Sequence, residues 1–175
     1  MTERVLYDHN IIKRTLTRIA HEILEKGVNV HDLVLVGIKR RGEYLAARLQ
    51  QLILDIEGVN IPLESLDITP YRDDRDRSAN LIPQIQNSFQ TSLTDKTVII
   101  VDDVLYTGRT IRSAMDAIMD AGRPNAIRLA VMVDRGHREL PIRADFIGKN
   151  IPTSRKENIS VYLQEVDGID QITIC

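Results

Sequence analysis

The sequence has one cysteine, no tryptophan and only two phenylalanines among its 175 residues. A single cysteine, Cys175, excludes an internal disulfide and a thiolate metal site. The longest clean apolar run, 129–133, is far shorter than the roughly 20 residues of a membrane-spanning helix. The first residues lack the apolar core of a secretory signal, so we expect a cytoplasmic protein with no membrane partner. The scarcity of aromatic rings disfavours a broad stacking platform for nucleic acid.

The remaining composition is typical of a globular chain, with 43% apolar residues, 27% charged residues and a net charge of -2. The length fits one domain, which we place over residues 1–175. Its charges are unevenly spread. Residues 135–156 carry six lysines and arginines against two acids, whereas residues 157–175 carry four acids and no base. The basic stretch indicates either an anionic partner or a solvated loop, and charge alone slightly favours the loop.

Apolar spacing predicts strands that alternate with helices. The predicted helices cover 11–26, 43–56 and 110–121, and the predicted strands cover 33–36, 61–69, 97–101 and 127–133, with shorter candidates at 144–147 and 160–166. This order favours an α/β fold in which helices flank a mostly parallel central sheet. Because ligands bind beyond the carboxyl ends of such strands, the loops after the four main strands should line one site.

Two segments depart from this alternation. Residues of about 71–92 are polar and lack a sustained period, and a loop of this length inside a domain is usually functional or disordered. Residues of about 135–160 are irregular and too short for an independent domain. We expect them to form a small C-terminal hood over the site.

The strongest motif is TVIIVDDVLYTGRTIRSAM, at residues 97–115. Asp102 and Asp103 follow an apolar strand, and a threonine-rich turn around Gly108 leads into a helix. Backbone amides and hydroxyls at a helix N-terminus attract a phosphate, while paired carboxylates accept hydrogen bonds from neighbouring sugar hydroxyls. A simple turn and helix cap is the alternative, which this combination of features disfavours. The chain has no G-K-[ST] and no G-x-G-x-x-G, which sets aside nucleoside triphosphatases and dinucleotide folds.

This element resembles the phosphoribosyl pyrophosphate (PRPP) motif of the type I phosphoribosyltransferases. Five segments together look like the bifunctional pyrimidine operon attenuation regulators, which are also uracil phosphoribosyltransferases. They are LTRIAHE (16–22), LVGIK-x-RG (35–42), DIT-x-YRDD (67–74), VDDVLYTGRT (101–110) and GRPNAIRLAVMVDRGHRELPIRADFIGKNIPTS (122–154). The resemblance runs from about residue 4 to residue 166, and VDRGHRELPIRAD separates this family from other type I enzymes.

The resemblance implies a role for each part of the site. Asp102 and Asp103 would bind the ribose hydroxyls. The turn that would hold the 5′-phosphate consists of Leu105, Tyr106, Thr107, Gly108, Arg109 and Thr110. A second turn, with the consecutive cations Lys39, Arg40 and Arg41, would hold pyrophosphate, because three adjacent cations are unfavourable in a core and natural around a diphosphate. The family more often has a small hydroxyl residue where this chain has Arg40.

The resemblance also implies how the remaining substrate groups are bound. Uracil would lie under the hood beside Val133, Asp134 and Arg135, read mainly by backbone groups. The loop of about 71–92 would be a mobile flap, in which Arg72 and Asp73 help to close over PRPP and exclude water. Mg²⁺ would arrive with PRPP, held mostly by phosphate and hydroxyl oxygens, so we expect no dedicated protein metal cluster.

The reaction implied is uracil plus PRPP giving UMP plus pyrophosphate. We expect catalysis by positioning and electrostatics, with Mg²⁺, Lys39 and Arg41 neutralising the leaving pyrophosphate while Asp102 and Asp103 support positive charge on the sugar. The sequence offers no convincing nucleophile for a covalent mechanism.

A second activity is indicated by a polar stripe on the first predicted helix. Its members recur at helical spacing: Arg14, Thr17, Arg18 and His21. Such a stripe contacts nucleic-acid phosphates or is simply a solvated helix face, and the stripe alone favours the solvated face. The resemblance implies an RNA-binding face that uses the residues matching Thr17, His21, Arg138 and Arg143, and we expect Lys149 and Arg155 to extend it.

Three functions are weighed at this point, and the first is favoured. The first is an enzyme and regulator in one chain, in which UMP favours binding to the pyrimidine operon leader RNA and so promotes premature termination of transcription. The second is a uracil salvage enzyme without an RNA-binding role, and the third is an RNA-binding module that keeps the PRPP pocket as a sensor. VDRGHRELPIR argues against the second, and Asp102, Asp103 and the basic turn argue against the third. The family also implies a homodimer or homotetramer.

Overall fold

The computed structural model describes residues 2–69 and 89–175. In these residues the chain forms eight strands and four α-helices, with a short 3₁₀ turn at Val30–Asp32. The elements are β1 (Arg4–Tyr7), α1 (His9–Glu25), β2 (Leu33–Ile38), α2 (Arg41–Glu57), β3 (Leu63–Leu66), β4 (Thr97–Leu105), α3 (Arg109–Ala121), β5 (Ala126–Asp134), β6 (Phe146–Asn150), β7 (Ile159–Tyr162), α4 (Gln164–Asp167) and β8 (Gln171–Ile174). None of the helices in this part of the chain has the length and apolar character needed to cross a membrane.

The main sheet contains five parallel strands in the order β3-β2-β4-β5-β6. All six residues of β2 are buried, as expected for a strand covered on both faces. Alternate residues of β2 and β4 face two different cores. Leu35 and Ile99 pack with α1 and α2, whereas Val36 and Ile100 pack with α3. The predicted α/β fold, with helices on both faces of a parallel sheet, is confirmed.

A second, three-stranded antiparallel sheet joins the two ends of the chain in the order β1-β8-β7. Neither β1 nor β8 was predicted from the sequence. Each is four residues long, and its partner lies far away along the chain, with Arg4 opposite Ile174. Such a pairing is set by tertiary contacts and leaves little local signal.

Several predicted boundaries differ from the structure. The strand predicted at 61–69 is only Leu63–Leu66, and the strand predicted at 160–166 ends at Tyr162 because Val166 lies in α4. The segment of about 135–160, expected as a hood, contributes β6 to the main sheet, where Phe146 is opposite Ala130 of β5. Most of the segment expected as a flap, including Arg72 and Asp73, lies outside the described residues.

Candidate functional site

Two helices begin at the carboxyl edge of the main sheet, immediately after neighbouring strands. Strand β2 ends at Ile38 and α2 begins at Arg41, whereas β4 ends at Leu105 and α3 begins at Arg109. Neither helix has a side-chain hydrogen bond at its N-cap. The N-cap residues Arg40 and Gly108 thus offer no side-chain acceptor, although the Arg109 N–H donates to Oγ1 of Thr107 at 3.3 Å. Helix N-termini of this kind suit the binding of anions.

Asp102 and Asp103 lie between these helix N-termini, on β4. The structure places them inside the strand, whereas we expected them just after it, because β4 continues pairing with β5 as far as Leu105. Each carboxylate accepts the backbone N–H of the following residue, with Asp103 donating to Asp102 at 2.9 Å and Val104 donating to Asp103 at 2.8 Å. These local bonds fix the two carboxylates beside one another.

The two carboxylates differ in their surroundings. Asp102 is buried, whereas Asp103 is partly exposed. Burial raises the pKa of Asp102 well above its ordinary value, and the neighbouring charge of Asp103 raises that pKa further. The pair therefore stores unfavourable electrostatic free energy, which a positively charged ligand or hydrogen-bond donors would relieve.

Two glycines allow the basic turn to pack closely against its neighbours. A Cβ atom added to Gly42 would lie 2.4 Å from the carbonyl oxygen of Val101 and 3.2 Å from the Cα of Asp102. A Cβ added to Gly37 would lie 2.4 Å from the Cα of Glu43. Only glycine permits these approaches. Gly42 therefore lets the turn lie directly against the strand that carries the aspartates, whereas Gly37 lets the turn lie against the start of α2.

The three cations of that turn have different environments. Lys39 and Arg40 are exposed. Arg41 is half-buried and forms a two-point ion pair with Asp167, its Nη2 lying 2.7 Å from Oδ1 and its Nε 3.2 Å from Oδ2. This pair raises the pKa of Arg41 and lowers the pKa of Asp167, and the charge of Asp103 adds to the effect on Arg41.

The turn between β4 and α3 is fixed by contacts with the segment after β5. Gly108 has a φ of +94°, a left-handed conformation that favours glycine. The carbonyl of Thr107 accepts the backbone N–H of Glu139 at 2.9 Å, and the Glu139 carboxylate lies 3.0 Å from Nε of Arg109. Tyr106 and Thr110 are exposed there.

Two residues expected in the binding site have side chains in the core. Leu105 packs with α3 on one face of the main sheet, and Val133 packs in the core on the other face, which includes α1 and α2. Both are at most 1% exposed, so they can offer a ligand only backbone groups. The carbonyl of Leu105 already accepts the backbone N–H of Arg135 at 3.1 Å, which ties the ends of β4 and β5 together.

The side chains of Asp134 and Arg135 are held within the chain. Asp134 accepts the backbone N–H of Gly136 at 3.0 Å and a guanidinium N–H of Arg138 at 2.7 Å. Arg135 is buried and donates to Oγ1 of Thr153 at 3.2 Å and to the carbonyl of Glu157. A cavity of about 370 Å³ opens beside them, lined by residues 134–138 with Asn150, Pro152 and Thr153.

The polar stripe of α1 lies beside the edge strand β6. Arg18 donates to the carbonyls of Ile147 at 3.1 Å and Gly148 at 2.7 Å, and it pairs with Glu22 at 2.7 Å. The Lys149 ammonium lies 5.0 Å from the centre of the Tyr7 ring. Arg14 and His21 are exposed, and the Thr17 hydroxyl donates to the carbonyl of Lys13. The structure thus brings the stripe and Lys149 to one edge of the sheet.

Arg138 has a different environment from the rest of the expected RNA-binding residues. Its guanidinium donates to the carbonyls of Tyr106 at 2.7 Å and Ile142 at 2.8 Å, as well as to Asp134. It therefore supports the turn after β4. Arg143 and Arg155 are exposed in the loops before and after β6.

Sequence reasoning missed four residues that shape the site: Asp167, Glu139, Thr153 and His137. The ring of His137 hydrogen-bonds the carbonyl of Thr153 and lies edge-on to Tyr106, with 6.0 Å between ring centroids. The acidic tail was a visible signal for Asp167. The charge of this tail does not show which cation each of its acids binds, because Arg41 and Arg48, the partners of Asp167 and Glu165, lie more than 100 residues away in the sequence.

Comparisons with known proteins point to one protein family. Residues 4–165 match the family described as Phosphoribosyl transferase domain. Two similar curated proteins, both named Bifunctional protein PyrR, come from Fusobacterium nucleatum and Staphylococcus aureus. The first is 56% identical and the alignment covers 98% of this chain and 97% of the relative; the second is 55% identical, with 99% of each covered.

Solved structures extend the comparison to the fold. Hypoxanthine phosphoribosyltransferase from Trypanosoma cruzi superimposes with a TM-score of 0.72 at 19% identity, over 98% of this chain and 95% of that one. The Staphylococcus aureus hypoxanthine phosphoribosyltransferase gives a TM-score of 0.73 at 20% identity, over 97% and 90% of the two chains. At these identities the likeness shows a shared fold.

Proposed function

Because the chain belongs to the phosphoribosyltransferase family, among its bifunctional PyrR members, we propose that it is both an enzyme and a regulator. The enzyme transfers the phosphoribosyl group of PRPP to uracil and releases UMP and pyrophosphate. The regulator binds the leader RNA of the pyrimidine operon in response to UMP and attenuates its transcription. The observation that carries the enzymatic part is the Asp102–Asp103 pair between two helix N-termini that lack side-chain caps.

The aspartate pair binds the ribose. Asp103 is partly exposed and offers carboxylate oxygens to the vicinal hydroxyls, while Asp102 lies behind it in the sheet. As the bond to pyrophosphate breaks, positive charge develops on the sugar, and two neighbouring carboxylates stabilise that charge. Because backbone hydrogen bonds already hold both carboxyl groups in place, they need little reorganisation when this charge develops.

Two anion sites bind the two ends of PRPP. The α3 N-terminus, with Thr107, Gly108 and Thr110, binds the 5′-phosphate, and Arg109 and Tyr106 flank it. The α2 N-terminus, with Lys39, Arg40 and Arg41, binds the pyrophosphate. The close packing of Gly42 against Val101 and Asp102 supports this assignment, because it holds the second turn next to the strand of the aspartates. The charge of Asp103 also helps to raise the pKa of Arg41.

The donor set also fits Mg²⁺ delivered with PRPP. Magnesium prefers oxygen ligands and retains several waters, so one or two carboxylates beside a diphosphate are enough to hold it. Asp103, with Asp102 behind it, is the protein group that would contact the ion or its waters. When bound, the ion neutralises charge on the leaving pyrophosphate.

Uracil is read by backbone groups of Val133, Asp134 and Arg135 and enters beside the 370 Å³ cavity. The observed contacts support backbone reading, because the Asp134 and Arg135 side chains are already used within the chain. Arg72 and Asp73, which lie outside the described residues, close over PRPP.

RNA binds to the edge formed by α1 and β6. The stripe residues Arg14, Thr17, Arg18 and His21 lie beside Lys149 there, and Arg143 and Arg155 extend the surface from the flanking loops. Arg138 takes part mainly by holding the neighbouring turn. UMP tightens RNA binding, and by linkage RNA tightens UMP binding by the same factor. The protein acts in the cytoplasm as a homodimer or homotetramer.

One pair of assays tests both activities. Labelled uracil with Mg²⁺ and PRPP should yield UMP, whereas hypoxanthine as a control base should give no product. In a gel shift, the pyrimidine-leader RNA should bind more tightly with UMP present, and binding should weaken as salt rises. Turnover without such a shift would identify a plain salvage enzyme, and a shift without turnover would identify a regulator that has lost catalysis.

A further inference from the structure

Asp167 binds one side of the Arg41 guanidinium and leaves the other side available. The ion pair uses Nε and Nη2 of Arg41. Within residues 2–69 and 89–175, Nη1 donates to no acceptor. The Arg41 side chain is 32% exposed, whereas that of Asp167 is 15% exposed. A guanidinium held in this way can still donate to a second anion through Nη1 and the remaining hydrogen of Nη2.

Asp167 is itself fixed in position. Its Oδ2 accepts the backbone N–H of Leu163 at 2.9 Å, and its own N–H donates to the Leu163 carbonyl at 2.7 Å. These two bonds join the last residue of α4 to Leu163, the residue before the helix. They hold the carboxylate where it faces α2. The Asp167 carboxylate is therefore already ordered before it meets Arg41.

A second ion-pair cluster fastens α4 to α2. Arg41 and Arg48 are seven residues apart, two turns of α2, and so they lie on the same side of the helix. Arg48 forms two bonds to Glu165, which lies in α4, and two to Asp170, which follows α4. Asp170 also accepts the backbone N–H of Gln164 at 2.7 Å. The C-terminal segment 163–170 is thus docked on α2 independently of the Arg41–Asp167 pair.

We propose that Asp167 is a positioning residue that holds Arg41 ready to bind the pyrophosphate group, an inference that rests on the proposed function. Ordering a long side chain at a binding site costs conformational free energy. Asp167 removes this cost from the binding step, because the folded chain has already ordered the guanidinium. Asp167 lies beyond residue 165, where the match to the phosphoribosyltransferase domain ends, so this support comes from outside the shared domain.

The test compares Asp167→Asn with the matched control Glu165→Gln. Both remove one negative charge from α4, and Glu165 pairs with Arg48 and does not contact Arg41. Steady-state kinetics give KM for PRPP and for uracil, and calorimetry with Mg²⁺-pyrophosphate and with UMP gives two affinities. We expect Asp167→Asn to raise KM for PRPP and Kd for pyrophosphate about three- to tenfold. KM for uracil and Kd for UMP should stay within about twofold, and Glu165→Gln should change all four constants by less than about twofold.

A double-mutant cycle separates positioning from a general structural effect. In an Arg41→Gln background, adding Asp167→Asn should not weaken pyrophosphate binding further, because the group that Asp167 positions is gone. Additive losses would overturn the proposal. So would equal damage to the UMP and pyrophosphate affinities, or tighter pyrophosphate binding in Asp167→Asn, which would show that Asp167 competes with the ligand. If the wild-type chain forms no UMP, the proposed function fails; wild-type turnover with unchanged constants in Asp167→Asn contradicts only this inference.

Discussion

The guanidinium carbon of Arg135 lies 4.1 Å from the centre of the Tyr106 ring. Arg135 follows β5 and is buried, whereas Tyr106 lies in the exposed turn that we assign to the 5′-phosphate. The same arginine donates to Thr153 and to the carbonyl of Glu157. One side chain therefore connects the phosphate turn, the end of β5 and the loop that carries Arg155.

The Tyr106–Arg135 contact predicts a difference between two substitutions. Tyr106→Phe keeps an aromatic face over the cation and should change the free energy of unfolding little. Tyr106→Leu removes that face and should lower it by about 1 kcal/mol, with a weaker affinity for UMP because the phosphate turn is less well held. Urea unfolding and UMP titration measure both effects. Equal behaviour of the two variants would show that the ring contributes no cation–π attraction.

The aspartate pair should be essential for turnover. The double variant Asp102→Asn with Asp103→Asn removes both negative charges that support the sugar cation, and we expect turnover to fall at least about a hundredfold. The assay is UMP formation from labelled uracil, with thermal unfolding as a check that the variant is folded. A folded double variant that retains most of its activity would remove the ribose assignment.

Asp102, which we expect to be needed for turnover, should also lower the stability of the folded chain. Because the folded pKa of Asp102 lies above the value of about 3.9 in an unfolded chain, ionisation opposes folding once the pH exceeds about 4. Asp102→Asn lacks this effect, so its stability relative to the wild type should rise as the pH increases from about 4 through the raised pKa. Denaturant unfolding at several pH values measures the free energy of unfolding of the variant minus that of the wild type. If this difference became smaller as the pH rises, the raised pKa of Asp102 would not be its cause.

Asp170 and Glu165 provide a matched comparison of a buried and an exposed partner of one cation. Both pair with Arg48, and their side chains are 4% and 34% exposed. The pKa of Asp170 is lowered to about 2, with hydrogen bonds from Arg48, Gln164 and His9 outweighing its burial. Its contribution to stability is present above about pH 4 and is lost as the pH falls towards about 2.

We therefore expect Asp170→Asn to lower the free energy of unfolding at pH 7 by roughly 2 kcal/mol. Glu165→Gln should lower it by less than about 1 kcal/mol, since an exposed ion pair contributes little. Urea unfolding at pH 7 measures both values. A larger loss in Glu165→Gln than in Asp170→Asn would contradict this ranking.

The RNA assignment predicts a separation of the two activities. His21→Ala and Arg143→Gln should weaken leader RNA binding while turnover stays within about twofold, and Arg143→Gln should reduce the salt slope by about one. Arg138→Gln should weaken both activities, because Arg138 also holds the Tyr106 carbonyl. Arg123, an exposed cation just beyond the C-terminal end of α3, provides the control: Arg123→Gln should change neither activity. Gel shifts and turnover assays decide the matter.

Local patterns in the sequence predicted the parts of the fold that local physics determines. The apolar period of residues 11–26 predicts α1, and the run at 97–101 predicts the start of β4. The motif at 101–110 placed the aspartates and the α3 N-terminus correctly at one edge of the sheet. What the pattern did not show is that β4 continues through Asp102, since two acids in a buried strand contradict ordinary strand preferences.

The contacts that complete the site are long-range and were not predictable in this way. Asp167 reaches Arg41 across 126 residues, and Glu139 reaches Arg109 across 30. Charge complementarity shows only that such acids need partners. The contacts of Arg138 have the same origin. Its carbonyl acceptors, Tyr106 and Ile142, lie in two different loops and carry no signal in side-chain identity.

The most direct test is a crystal structure of the chain with UMP. We expect the phosphate at the α3 N-terminus, against the amides of residues 107–110, and the ribose hydroxyls on the carboxylates of Asp102 and Asp103. The uracil ring should lie beside the backbone of residues 133–135. A nucleotide bound elsewhere, with this edge of the sheet vacant at saturating UMP, would contradict the account.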